Sequence, residues 1–265
     1  MSVQDYADWI FRYQYMYPRR YTNKQKRRFV QALYADLKMM GADVSTGHYT
    51  VSERDVRGYI AVGKPAKARK IIVAAFNTPP AVPGSYVYFD PEKEKRQATT
   101  AIAAEIIAWA VLCGLLIFSY LKFQTRIGFW LWLLLFTLMF LLAVMIRNQT
   151  LPTSGLVRST SSILTLLGLV SDGCSSDTAY LFVDDPGDGL WKKNIRMNPR
   201  ARIIITGSLG ADAPLQTRTD GKETFMFRAD KKDDSYVLTS SKLHARKVDP
   251  ALLEEAARQI LCQTA

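Results

Sequence analysis

The sequence predicts an α/β fold: a three-layer domain with a mostly parallel central sheet, interrupted by a two-helix transmembrane hairpin. Strand and helix patterns alternate along the chain, as they do where helices are layered on a sheet. The runs Ile71-Ile-Val-Ala-Ala75 and Arg202–Thr206 are short and mainly apolar, as befits central strands buried on both faces. Between them lie two longer apolar runs, Ala98–Leu121 and Ile127–Ile146, separated only by Lys122–Arg126. Each is long enough to cross a hydrocarbon core of roughly 30 Å as a helix, which takes about 20 residues. So short a linker makes the pair antiparallel. The hairpin is expected over residues 97–147, and the α/β domain is expected to form from residues 1–96 and 148–265.

Outside the hairpin the elements follow in order. Asp5–Tyr17 reads as an aromatic helix ending before Pro18, which cannot continue it. Thr22 with Gln25 three residues on is a capping box, and Phe29, Leu33, Leu37 and Met40 then share one helical face. Gly41 suits the left-handed residue that closes such a helix. Val44–Ser52 (broken at Gly47), Arg57–Val62 and Lys70–Phe76 read as strands, and Gly63–Lys67 as a β-turn without phosphate-loop spacing. Beyond the hairpin come an apolar helix over Ser159–Val170 and a strand over Ala179–Val183 leading into the acidic turn Asp184–Gly189. A strand over Arg202–Thr206 ends at Gly207; Glu223–Arg228 and Ser235–Leu238 are further strands, and Pro250–Leu261 is a closing helix.

Charge is uneven. The formal net charge is +11, with 17 Lys/Arg against 9 Asp/Glu in residues 1–96 and 15 against 14 in residues 148–265. Lys93, Lys95, Arg96, Arg147 and Arg158 flank the apolar runs, against Lys122 and Arg126 at the tip, so the positive-inside bias puts the domain in the cytoplasm. The basic N-terminal third suits anionic headgroups at about 1 kcal/mol per residue near the surface. Arg19-Arg20 and Lys24–Arg28 form no recognised nucleic-acid motif, and no nucleic-acid partner is expected. Cys113, Cys174 and Cys262 have neither metal-site nor disulfide spacing, which fits a reducing compartment.

The order of elements resembles a known family. A capped helix ending in Met-Met-Gly-Ala-Asp-Val44 precedes Arg57-Gly-Tyr-Ile-Ala-Val-Gly63 and Ile71-Ile-Val-Ala-Ala-Phe-Asn-Thr78. After a helix come Tyr180-Leu-Phe-Val-Asp-Asp185 and Arg202-Ile-Ile-Ile-Thr-Gly-Ser-Leu-Gly210. This is similar to the two-zinc aminopeptidase superfamily, which includes aminopeptidase Y and glutaminyl cyclases. The resemblance implies metal ligands at the C-terminal strand ends, where open α/β sheets bind ligands, and two ions activating a water.

Carried over position by position, the resemblance implies a degenerate centre. The first His-x-Asp motif falls on Ala75-Phe76-Asn77, and the bridging aspartate on Arg158. The Glu-Glu pair falls near Pro186-Gly187, flanked by Asp184, Asp185 and Asp188. A further aspartate falls near Gly207, and only the last histidine has a counterpart, His244. Zinc needs neutral imidazole or carboxylate donors at about 2 Å, and this set supplies too few. No metal or other cofactor is expected.

Other chemistry is weaker. Ser171–Asp177 offers a cysteine and serines near acids without a paired base, and reads as a helix-to-strand loop. Asp184–Gly189 lacks the ligand alternation of a calcium loop. Glu105 lies inside the first apolar run, near its cytoplasmic end, and His48 lies in strand sequence far from any motif. The expected function is therefore a membrane-anchored, catalytically degenerate peptidase-like protein that binds a peptide or a membrane-protein partner in the old cleft. The rival expectations are an active metallopeptidase with shifted ligands and a purely structural scaffold.

Overall fold

The structure is a computed structural model that describes residues 3–18, 20, 22–52, 55–78, 84–122, 126–147, 155–173, 175–187, 189–245 and 247–264. Two units divide the chain, Met1–Pro80 with Thr153–Ala265, and Ala81–Pro152.

The first unit begins with α1 (Val3–Ile10), which widens into a π-helical segment over Phe11–Met16. Helix α2 (Asn23–Met39) starts at a formed capping box: the Thr22 hydroxyl accepts from the Gln25 N–H, and the Thr22 N–H donates to Gln25 Oε1. Two of its otherwise orphaned first-turn donors are satisfied this way. Gly41 follows at φ +76°, a conformation that an L side chain rarely adopts. The strands are β1 (Val44–Ser52), β2 (Asp55–Val62), β3 (Lys70–Ala75), β5 (Thr178–Val183), β6 (Arg202–Gly207), β7 (Leu215–Asp220) and β8 (Glu223–Arg228). A short antiparallel ribbon pairs β9 (Asp230–Lys232) with β10 (Ser235–Leu238). A second π-helical segment (Leu156–Thr160) leads into α5 (Ser161–Ser171). Helices α6 (Leu190–Asn194), α7 (Ser240–Leu243) and α8 (Pro250–Thr264) complete the unit.

The main sheet has the order β1-β2-β5-β3-β6-β8-β7. It is mixed, which corrects the expectation of a mostly parallel sheet. The pairs β5–β3, β3–β6 and β6–β8 are parallel, whereas β1–β2, β2–β5 and β7–β8 are antiparallel. A short connection accounts for the β7–β8 pair: β7 turns into β8 through Gly221 at φ +59°, and a tight turn can only join antiparallel neighbours. On one face Ile71, Val73, Leu181 and Val183 pack with Trp191 and Ile195. Side chains alternate along a strand, so Ile72, Ala74, Tyr180 and Phe182 turn to the other face. There α5 packs on β3, β5 and β6, and α8 packs on α5. Arg228 ties β8 to α8 by donating to Leu252 O at 3.2 Å and pairing with Glu255.

The second unit contains β4 (Tyr86–Tyr88), α3 (Pro91–Leu121) and α4 (Arg126–Arg147), and α3 packs against α4. Among the described residues, no helix is long and apolar enough to cross a membrane. This overturns the expected transmembrane hairpin, and with it the integral-membrane placement and the orientation built on it. The physical reason lies in where the polar residues fall. Helix α3 includes the charged start Pro91–Arg96 and Glu105, so its unbroken apolar stretch, Ile106–Leu121, is shorter than the about 20 residues a span needs. Ile106, Leu121, Leu134 and Phe140 are exposed.

Candidate functional site

Strand register decides which residues meet. Ala75 pairs with Val183, and Ala74 pairs with Thr206. The next residues of β3, β5 and β6 therefore share one sheet edge, which holds Ala75, Asn77, Asp184 and Gly207. Asn77 N–H donates to the Asp184 carbonyl at 3.2 Å, and Ser208 N–H donates to the Arg158 carbonyl at 3.3 Å. The second bond brings the π-helical segment to the same edge, and α7, with His244 at its C-terminal end, packs on that segment. Sequence reasoning thus names positions that the topology gathers together. Asp185 stands apart. It lies 3.5 Å from Arg57 and accepts from Gly187 N–H at 2.9 Å. Asp188 lies outside the described residues.

The donor set at this edge does not fit a two-zinc centre. Ala75 and Gly207 have no side-chain donor, Asn77 offers only an amide, and Arg158 is a cation. Among the described residues, no three His, Cys, Asp or Glu side chains are grouped to hold a metal ion. Arg20 adds a second fixed cation that the sequence reading left in a basic patch. Its guanidinium is fully buried, donating from Nε to Thr78 Oγ1 at 3.3 Å and from Nη2 to Ser159 Oγ at 3.1 Å and Thr160 Oγ1 at 2.7 Å. It also stands 4.6 Å from the Phe29 ring centroid. A guanidinium is never deprotonated in a protein, so this edge carries permanent positive charge beside the expected metal positions.

Among the described residues, Asp184 is the one acid buried at this edge. Its Oδ2 lies 2.7 Å from Lys26 Nζ on α2. Its Oδ1 is buried with no hydrogen-bond partner among the described residues. Burial pushes the carboxyl above the ordinary carboxylate range, while the hydrogen bond and charge of Lys26 pull it back.

Asp184 and Phe76 form the floor of a groove of about 520 Å³ between α2 and the β1–β2 hairpin. That volume falls within the about 300–1,000 Å³ typical of ligand sites. Helix α2 supplies one wall with residues at helical spacing, Asn23, Lys26 or Arg27, Val30 and Tyr34. The opposite wall includes Gly47, His48 and Tyr59. A side chain at Gly47 would lie 2.5 Å from the Tyr59 ring, so this glycine lets the ring settle over β1. His48 is exposed here, in the same groove as Asp184, although the sequence reading set it apart from every motif. No signal in one sequence joins them, since their place in one groove depends on the β1–β2–β5 order.

No protein-family model matches the chain, and no curated protein matches it.

Proposed function

We propose that the first unit is a non-catalytic binding module, built like a two-zinc aminopeptidase without its metal chemistry, that holds a peptide or protein segment in the groove between α2 and the β1–β2 hairpin. The observation that carries this reading is the division of labour at Asp184. One carboxylate oxygen is spent on Lys26, and the other is buried without a partner on the groove floor. A buried acceptor left unmet costs about 1–3 kcal/mol, and a ligand N–H is the group that would recover it. Tyr59 supplies aromatic area in the same groove. Extended peptides carry main-chain N–H groups and alternating side chains, so they match an acceptor flanked by apolar walls.

The reading predicts selection of peptides by the intact protein. A displayed library of random octapeptides should yield sequences enriched on the full-length chain and lost when Asp184→Asn replaces it. A library that gives no enrichment, or the same sequences on both proteins, contradicts a peptide site at Asp184.

A further inference from the structure

Resting on that reading, we infer that the groove selects an acidic segment: a short extended stretch carrying a carboxylate next to an apolar side chain. Three features of the groove point to this chemistry. First, the charge of Asp184, the one described acid in the groove, is countered by Lys26 at 2.7 Å. Second, Arg27 lines the α2 wall, is exposed, and has no ion-pair partner among the described residues. His48 lines the facing strand, so the mouth carries positive or neutral groups from both walls. Third, Tyr59 supplies aromatic area in the same groove as the unmet Asp184 Oδ1.

A segment laid along the groove then makes three contacts of different kinds. Its main-chain N–H donates to Asp184 Oδ1, an apolar side chain covers Tyr59, and a carboxylate one or two residues away reaches Arg27. Arginine suits the last role, since its planar fork takes a carboxylate through two parallel hydrogen bonds. A basic segment would bring its cation against Arg27 and Lys26, where like charges raise the cost of binding. The charge of the N-terminal third, spread along α2 in the sequence, thereby gains a specific direction.

The test uses acetylated, fluorescein-labelled octapeptides with identical apolar residues and either Glu or Lys at the charged positions, titrated into the full-length protein and followed by anisotropy. The Glu peptide should bind at least about tenfold more tightly than the Lys peptide, and the preference should shrink as salt screens the charges. Arg27→Glu should reverse the preference, and Arg27→Gln should abolish it. Arg200→Glu, an exposed charge just before β6, should leave it intact. Equal binding of both peptides, or a Glu preference that survives Arg27→Glu, overturns the acidic assignment while leaving a peptide site standing. Failure of either peptide to bind, with a folded protein and an empty display screen, sinks the peptide reading as well.

Discussion

Asp36 on α2 and Asp184 beside that helix are both buried aspartates, yet their surroundings treat them differently. Asp36 meets the Arg12 guanidinium through Oδ1 and accepts from the Tyr13 hydroxyl at 2.5 Å through Oδ2. Both of its oxygens are used, and the bonds bind the first π-helical segment to α2. Asp184, which lines the groove, uses one oxygen on Lys26 and leaves the other buried without a hydrogen-bond partner among the described residues. Burial alone does not distinguish a structural carboxylate from a binding one. The distinction lies in whether every acceptor is matched inside the fold, since an unmatched one carries a standing cost that a ligand can remove.

The largest expected effect comes from breaking the closed network. Asp36→Ala removes two hydrogen bonds to a charged group and leaves the buried Tyr13 hydroxyl unmet, so urea unfolding should show a loss of about 3 kcal/mol. Asp184→Asn should be much milder, at about 1 kcal/mol or less, because Lys26 is 22 % exposed and can reach water. Binding of the acidic octapeptide should nevertheless fall on that variant. If the two substitutions cost the same stability, the contrast between closed and open sites fails.

Stability against pH sharpens the same contrast in two separate windows. Asp184 has a folded pKa above its unfolded value, so the native state keeps this proton longer than the unfolded chain does. Its contribution is fully present below the ordinary carboxylate range and is lost as pH rises through the folded pKa. Asp184→Asn should flatten the stability curve in that window. Tyr13 has its pKa raised by burial and by its bond to Asp36. Its contribution is full below about pH 10, where a free tyrosine ionises, and is lost as pH climbs beyond that point. Tyr13→Phe should flatten the alkaline limb and leave the acidic one alone. Urea titrations at stepped pH separate the two.

The smallest effect on stability is expected at Gly47. An added Cβ meets the end of the Tyr59 ring, which can swing away, so Gly47→Ala should cost less than about 1 kcal/mol. The displaced ring would enter the groove, and acidic-peptide affinity should drop by more than the stability change suggests. An unchanged affinity would remove Tyr59 from the site.

Sequence legibility followed how local each feature was. The Thr22–Gln25 box and Gly41 act within a few residues, and both formed where their chemistry indicated. The apolar run Ile71–Ala75 marked β3 because burial on both faces leaves no polar position. Strand β7 was invisible for the opposite reason. As an edge strand it exposes Thr217–Asp220, so no alternation marked it. The hairpin expectation counted Glu105 inside a span of Ala98–Leu121, whereas the charge-free stretch of α3 begins only at Ile106. Arg20 and His48 lay beyond reach altogether. Arg20 acts through Thr78, Ser159 and Thr160, and His48 comes to line the same groove as Asp184 only through the order of the sheet.

The central claim is that Asp184 serves Lys26 and the groove, not a metal ion. Its most direct test is the zinc content of the full-length protein after incubation with excess zinc and exhaustive dialysis against chelator-free buffer, measured beside Asp184→Asn. The account predicts that neither protein retains zinc and that neither hydrolyses aminoacyl substrates. Stoichiometric zinc in the wild-type chain, lost together with peptidase activity in Asp184→Asn, would contradict it.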